Sequence, residues 1–272
     1  MGNSKWNIGV CSWSLQAGVN KVAEAMKEIG IGSVHLAVGP AVGEGGQEYL
    51  DAVKQQDWVI SSTMIGFEQE DYSSLDTIKV TGGVVPDDCW DKNKALFEGA
   101  AKVSKELGVK YISTHAGFID HTDVEKYKVM CDRIKCLADI AAANGLMLLM
   151  ETGQETAEDL AGFMNDAAHP ALGINFDPAN MILYDKGDPI EALKVLASWI
   201  KHVHIKDADK TETTGQWGVE MPWGDGQVGI DKFLDTLKSL GYDGTIAIER
   251  EAGDQRKTDI ALAADRLKQY MS

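Results

Sequence analysis

Cysteine is scarce in this 272-residue chain. The four present, Cys11, Cys89, Cys131 and Cys136, are too few and too irregularly spaced for a disulfide scaffold or a paired Cys-x-x-Cys zinc site, and they read as reduced thiols of core or surface. Long apolar runs are missing too. Nothing approaches the roughly 18 residues needed to span a membrane, and the opening MGNSKWNIGV passes into a strand pattern without the apolar centre of an export signal. The expectation is a cytoplasmic chain, a previously removed export signal being the other route to such a start. Positive charge is in deficit: 26 Lys and Arg against 42 Asp and Glu give a formal net charge of −16. That sign repels a phosphate backbone, so no nucleic-acid partner is expected. Most of the charge reads as solvated surface, but any carboxylate cluster within it would attract divalent cations.

What is present is an ordinary globular composition, 44% hydrophobic and 25% charged, with a repeated pattern. Short apolar runs rich in β-branched residues recur at 8–12, 33–36, 59–64, 111–115, 147–151, 173–177, 202–206 and 245–249. Between and after them lie segments of helical periodicity at 19–29, 46–55, 91–107, 123–144, 156–165, 189–199, 230–240 and 256–270. Glycine punctuates several helix ends, in EIGIGS, ELGVKY, ANGLML and SLGYDG, where a left-handed cap would precede the next strand. Eight such units in a chain near the usual 250 residues predict the α/β class and a single parallel (β/α)8 TIM barrel forming one domain over 1–272. An open doubly wound sheet is the alternative, but CSWSLQAG after the first strand lacks the G-x-G-x-x-G phosphate loop such a sheet would carry there. Two connections, 66–90 and 207–229, are longer than the rest and are candidates for building a site at the barrel mouth, or for loops packed on themselves.

In a parallel barrel, chemistry sits at the C-terminal ends of the strands. Those ends are occupied by Glu151 in LMLLME, Asp177 in GINFD, His204 in HVHIKD and Glu249 in TIAIE. Two-residue alternation puts His202, His204 and Lys206 on one face of the seventh strand, with His204 nearest the end that a metal could reach. Each residue alone has a structural reading: Asp177, before Pro178, is also a natural helix cap, and a histidine can be a satisfied core residue. Four ionisable groups converging on one rim, however, would be very costly without a cation between them. Three carboxylates and one imidazole form a hard ligand set for one divalent metal ion, Mn2+ first, with Mg2+, Co2+ or Zn2+ also compatible. Around them, His115, ending the fourth strand, and Lys206 and Asp207 are candidates for binding substrate, although His115 could be a core residue and the latter two could pair with each other. Trp13, Phe67 and Trp217 are candidates for an apolar wall, or for simple packing.

The motifs METG, FDPAN, HVHIKD and IERE, with MPWGDGQVGID and GYDGTIAIE around the last unit, resemble the sugar isomerase and epimerase family with the xylose isomerase-like barrel, over essentially the whole chain. That family includes ketose 3-epimerases, hydroxypyruvate isomerase and inosose dehydratase. The resemblance implies a metal quartet of Glu151, Asp177, His204 and Glu249. It also implies that Glu151 and Glu249 move protons next to a carbonyl through a metal-stabilised enediolate. There are departures: Asn180 and Lys210 stand where the epimerases carry a histidine and an arginine, and His35 lies at or near a position where many relatives show glutamate. Asn180 can still hydrogen-bond a substrate hydroxyl; His35 is either substrate-facing or buried.

The functional expectation is therefore a metal-dependent sugar or sugar phosphate isomerase or epimerase. A keto-sugar or keto-inositol dehydratase or lyase, which begins with the same proton abstraction, is the second reading. An abasic-site endonuclease shares the barrel but needs three zinc ions and more histidines than the six present, and the charge has the wrong sign for DNA, which leaves that reading remote. A non-catalytic barrel would fit only if no metal bound. The expected partner is a small carbohydrate; a homo-oligomer is compatible with such barrels, and no surface feature of the sequence selects it.

Overall fold

Ile174, Phe176, Val203, Ile205 and Ile246 are fully buried because the strands that carry them are covered on one side by helices and on the other by the barrel interior, the situation that makes parallel strands apolar nearly throughout. The computed structural model describes residues 6–213 and 215–272; residues 1–5 of the opening segment and Thr214 lie outside them. In chain order the elements are β1 (Asn7–Cys11), α1 (Val19–Ile29), β2 (Ser33–Ala37), α2 (Gly46–Lys54), β3 (Val59–Met64), α3 (Leu75–Thr81) and α4 (Trp90–Glu106). Then come β4 (Tyr111–Thr114), α5 (Val124–Ala143), β5 (Met147–Glu151), α6 (Ala157–Ala167), β6 (Leu172–Phe176), α7 (Pro178–Leu183), α8 (Pro189–Leu196) and β7 (Ile200–Ile205). The last are β8 (Asp207–Asp209), β9 (Val219–Met221), α9 (Ile230–Ser239), β10 (Thr245–Ile248) and α10 (Arg256–Met271). Eight strands close in the order β1-β10-β7-β6-β5-β4-β3-β2, every neighbour parallel, while β8 and β9 form a separate antiparallel pair.

The expected eight-unit TIM barrel is thus the observed fold, and the four punctuating glycines Gly30, Gly108, Gly145 and Gly241 all take positive φ at helix ends. Four elements, α3, α7, β8 and β9, were not anticipated. The 66–90 connection contains α3, nucleated by a reciprocal capping box between Ser74 and Thr77. The 207–229 connection contains the β8–β9 hairpin. The short α7 starts directly after β6, capped by Asp177. Asp177, Lys206 and Glu249 lie one residue beyond their strands, whereas Glu151 is the last residue of β5.

The barrel interior is unusually polar for a layer normally filled by Val, Ile and Leu. His35, Ser62, Ser113, Asn175, His202 and His204 are all at 0–1% exposure. Several of them pair with one another or with neighbours: Ser62 and Ser113 hydroxyls are 3.0 Å apart, and His202 bridges Ser61 Oγ at 3.0 Å and Asn175 Oδ1 at 2.8 Å, while His35 Nε2 has no partner among the described residues. Register shifts fall at Val34/His35 and Ile174/Asn175, immediately before two residues that reach His204, in keeping with the use of bulges to re-aim side chains beside a site.

Candidate metal centre and substrate cavity

Because all eight strands run parallel, their C-terminal ends share one rim, and β5, β6, β7 and β10 bring Glu151, Asp177, His204 and Glu249 together there. Their ligand atoms lie within 4.8 Å of one another. His204 Nδ1 is 3.4 Å from each of Glu151 Oε1, Asp177 Oδ2 and Glu249 Oε2. All four side chains are buried, at 0–7% exposure for the whole residues. Asp177 is placed for both roles open to it in the sequence. Its Oδ1 accepts the Asn180 backbone N–H at 3.0 Å, capping α7, while Oδ2 faces the histidine. Three buried carboxylates converging on one point repel, and an oxygen-rich set with one imidazole nitrogen fits a hard divalent cation. These residues could hold one.

Neighbouring groups hold the two glutamates in place. The Trp13 indole N–H donates to Glu249 Oε1 at 2.8 Å, and Lys206 Nζ donates to Glu249 Oε2 at 2.8 Å. Asn180 Nδ2 donates to Glu151 Oε1 at 3.0 Å. Gly153 makes this approach feasible: at φ +140°, a Cβ there would come within 2.4 Å of Asn180 Cβ. Burial alone would push both glutamates up, but His115 and His204 outweigh it at Glu151, and Lys206 and His204 outweigh it at Glu249, so both are held below the usual carboxylate range. Asp177, wholly buried, is pushed up to about 6 by desolvation, against the pull of Lys206. Burial works against the charged forms of Lys206 and His204, yet Glu249 with Glu251 for the one, and Glu249 with Glu151 for the other, raise them well above their ordinary values.

Beneath the rim, His204 Nε2 lies 2.9 Å from His35 Nδ1, 3.1 Å from the Asn175 amide nitrogen and 3.5 Å from Cys11 Sγ. For Nδ1 to offer its lone pair toward the carboxylates, the neutral ring must carry its proton on Nε2. His35 is the nearest acceptor. Burial, reinforced by His204, lowers His35 to about 3, which keeps it neutral and able to accept. Burial likewise pushes the Cys11 thiol up to about 12. Sequence reasoning left His35 between substrate and interior; the structure puts it inside, one layer below the rim.

Above the quartet opens a cavity of about 730 Å³, within the range of small-molecule sites. Trp13, His115, Asn180 and Lys206, all expected at the substrate, line it together with Glu151 and Glu249, and Trp217 joins them. Two expected residues are placed elsewhere. Phe67 is buried away from this lining. Asp207 faces the following loop, where Oδ1 accepts from Ala208 N at 2.9 Å and Val228 N at 3.0 Å, and Oδ2 from Gly224 N at 2.9 Å and Gly226 N at 3.1 Å. Four backbone donors consume the carboxylate, so its role is to shape the loop. Glu70, Tyr72, Tyr184 and Glu220 line the cavity and were not anticipated. Tyr184 lies four residues beyond Asn180, a spacing that could have revealed it; the others come from the long connections, whose conformation no periodicity describes. A second cavity of about 350 Å³ at the other end of the barrel includes His202 but lacks converging carboxylates.

Comparison with known proteins agrees with the barrel fold. The family described as "xylose isomerase-like TIM barrel" matches residues 23–270. The inosose dehydratase of Clostridium botulinum (strain Alaska E43 / Type E3) is 26% identical over 147 residues, covering 48% of this chain and 49% of that protein; the matched stretch spans about half the length of this curated relative. A solved xylose isomerase domain protein from Planctomyces limnophilus is 31% identical, with a TM-score of 0.87 over 97% of this chain and 96% of that one. A xylose isomerase-like TIM barrel protein from Mycobacterium smegmatis, in complex with magnesium, has a TM-score of 0.75 at 18% identity over 100% and 98% of the two chains. An L-ribulose 3-epimerase gives 0.72 at 13% over 98% and 94%. The last two are likenesses of fold alone. No helix among the described residues is long and apolar enough to cross a membrane. From the family match along most of its length, the chain belongs to the xylose isomerase-like TIM barrel family.

Proposed function

We propose that this chain is a divalent-metal-dependent enzyme that abstracts a proton next to a carbonyl of a carbohydrate, acting as an isomerase or epimerase. The observation that carries the reading is the double placement of Glu151 and Glu249: each belongs to the quartet and each lines the mouth cavity. They stand three strand positions apart around the barrel, on β5 and just past β10, so a substrate between them would present different faces to the two carboxylates. Glu151, Asp177, His204 and Glu249 would hold the cation, Mn2+ being our first choice and Mg2+, Co2+ and Zn2+ fitting the same donors. When bound, the cation would supply Lewis acidity at the carbonyl oxygen and positive charge where proton loss leaves negative charge.

The chain's own groups account for the proton movement. A carboxylate takes the proton from the carbon next to the carbonyl, and a protonated group on the other face returns one, which inverts that carbon. His115 Nε2, 3.7 Å from Glu151 Oε2, can pass a proton to Glu151, while Lys206 and Trp13 hold Glu249 in its charged form. Asn180 and Trp13 orient the two glutamates. Return of the proton to the adjacent carbon would interconvert an aldose and a ketose. The second reading, a keto-sugar or keto-inositol dehydratase, is favoured by the likeness to inosose dehydratase and by His115 and Lys206 at the cavity, either of which could protonate a departing hydroxyl.

The test is elemental analysis of the purified chain beside a His204→Ala, Glu249→Gln double variant that keeps its circular dichroism. A stoichiometric divalent metal lost in the variant, followed by deuterium uptake from heavy water at the carbon next to the carbonyl of a keto-sugar, is the expected result. Formation of product without such uptake would favour another reaction, and no metal after reloading with each ion would overturn the proposal.

A further inference from the structure

We infer that the substrate is an uncharged polyhydroxy ketone, not a sugar phosphate or a keto acid. The inference rests on the proposed function and specifies its substrate class. Five glutamates, Glu70, Glu151, Glu220, Glu249 and Glu251, line the mouth cavity against one lysine, Lys206, and no arginine. Lys206 is already committed: its Nζ lies 2.8 Å from Glu249 and 2.7 Å from Glu251, with Glu220 at 3.8 Å and Asp177 at 3.9 Å. Lys210, the other cation close in sequence, pairs at the surface with Asp185 at 2.6 Å. Arg250 is held by Glu220 at 2.8 Å and Asp259 at 2.9 Å, outside the lining. A cation in the quartet would have its two charges answered by three carboxylates, leaving no surplus for an anionic substrate.

Backbone donors are no more available. In TIM barrels a phosphate is often bound by loop amides after the seventh and eighth strands, and converging N–H groups make natural anion sites. Here the amides of Gly224, Gly226 and Val228, in the loop after the seventh barrel strand, already point at Asp207. The chain thus fills that anion position with its own carboxylate. A phosphate or carboxylate on the substrate would be desolvated among like charges, and the donors the lining still offers, the His115 ring, the Trp217 indole N–H and the tyrosine hydroxyls, are separate polar groups and not a converging anion cradle. Hydroxyl groups meet no such penalty, since the glutamates can accept from them. The rings of Trp13, Tyr72, Tyr184 and Trp217 offer apolar surface to the carbon skeleton of a neutral sugar.

The experiment uses the full chain loaded with Mn2+ and measures calorimetric affinity and deuterium uptake for D-fructose and D-tagatose, each against its 6-phosphate, with 5-keto-D-gluconate as the carboxylate. The neutral ketones should bind with an advantage of about 100-fold over the charged ones. Glu251→Gln, which releases Lys206 from one partner, should narrow that advantage about tenfold. Equal or tighter binding of a phosphate or carboxylate by the unaltered chain would overturn the inference. Absence of deuterium uptake from every ketone, with neutral ligands still preferred, would instead remove the proposed reaction and leave the charge selectivity standing.

Discussion

His204 shows its two ring nitrogens to two environments, and that division governs whether it can act as a ligand. Nδ1 faces three carboxylates; Nε2 faces His35 at 2.9 Å. An acceptor on the far nitrogen fixes the tautomer and the ring plane, and outer partners of this kind typically change metal affinity by about 10–100-fold. His35→Leu should therefore weaken Mn2+ binding by about that range in a chelator competition, while His35→Gln, whose amide oxygen can accept, should recover part of it. Unchanged affinity in the leucine variant would show that His35 is not needed as the acceptor. Because a neutral histidine is the partner, His204 gains orientation without the added negative charge a carboxylate would bring to an already acidic centre.

At the scale of elements, the rim depends on connections that clasp one another. The loop after β4 is tied to the loop after β5 by Glu155 Oε1, which accepts the Ile119 N–H at 3.0 Å. Glu155 is buried, and desolvation raises its carboxyl from 4.5 to about 7, the bond from Ile119 and the charge of Lys186 opposing the rise. The folded chain therefore holds this proton where the unfolded chain has released it. Its contribution is fully present below pH 4.5 and is lost as pH rises through about 7. Glu155→Gln keeps an acceptor for Ile119 and removes the titration. In urea unfolding with chelator present, the variant should be more stable than the parent by about 1–3 kcal/mol at pH 8, with little difference at pH 4.5. A gain equal at both values would mean that the proton is not involved.

For the whole molecule, closure sets the balance between fold and site. The ring closes where β1 meets β10, and that pairing carries Trp13 to Glu249 across 236 residues of sequence. The same closure packs three carboxylates into a buried rim on a chain whose net charge is already −16. His204 and Lys206 answer part of that charge, and a divalent ion bound by the folded state alone would answer more of it, so its binding should appear as added stability. Mn2+ or Mg2+ at about 100 times its dissociation constant should raise the melting temperature by on the order of 5 °C. The His204→Ala, Glu249→Gln variant should show no such rise, and a parent melting curve indifferent to both ions would count against the centre.

The amino-acid sequence by itself determined the repeated βα units, their glycine caps and the strand ends on which Glu151, Asp177, His204 and Glu249 fall. It could do so because period, cap chemistry and side-chain alternation are local properties. Parallel pairing then leaves those ends little choice but a common rim. Tertiary structure decided what local pattern cannot carry: that Asp207 turns into its own loop, and that Glu70, Tyr72 and Glu220 reach the cavity from long connections. It also decided that His35 lies under His204 rather than against substrate. These outcomes depend on contacts between residues far apart in sequence, formed only when β1 and β10 close the ring and the loops settle against one another.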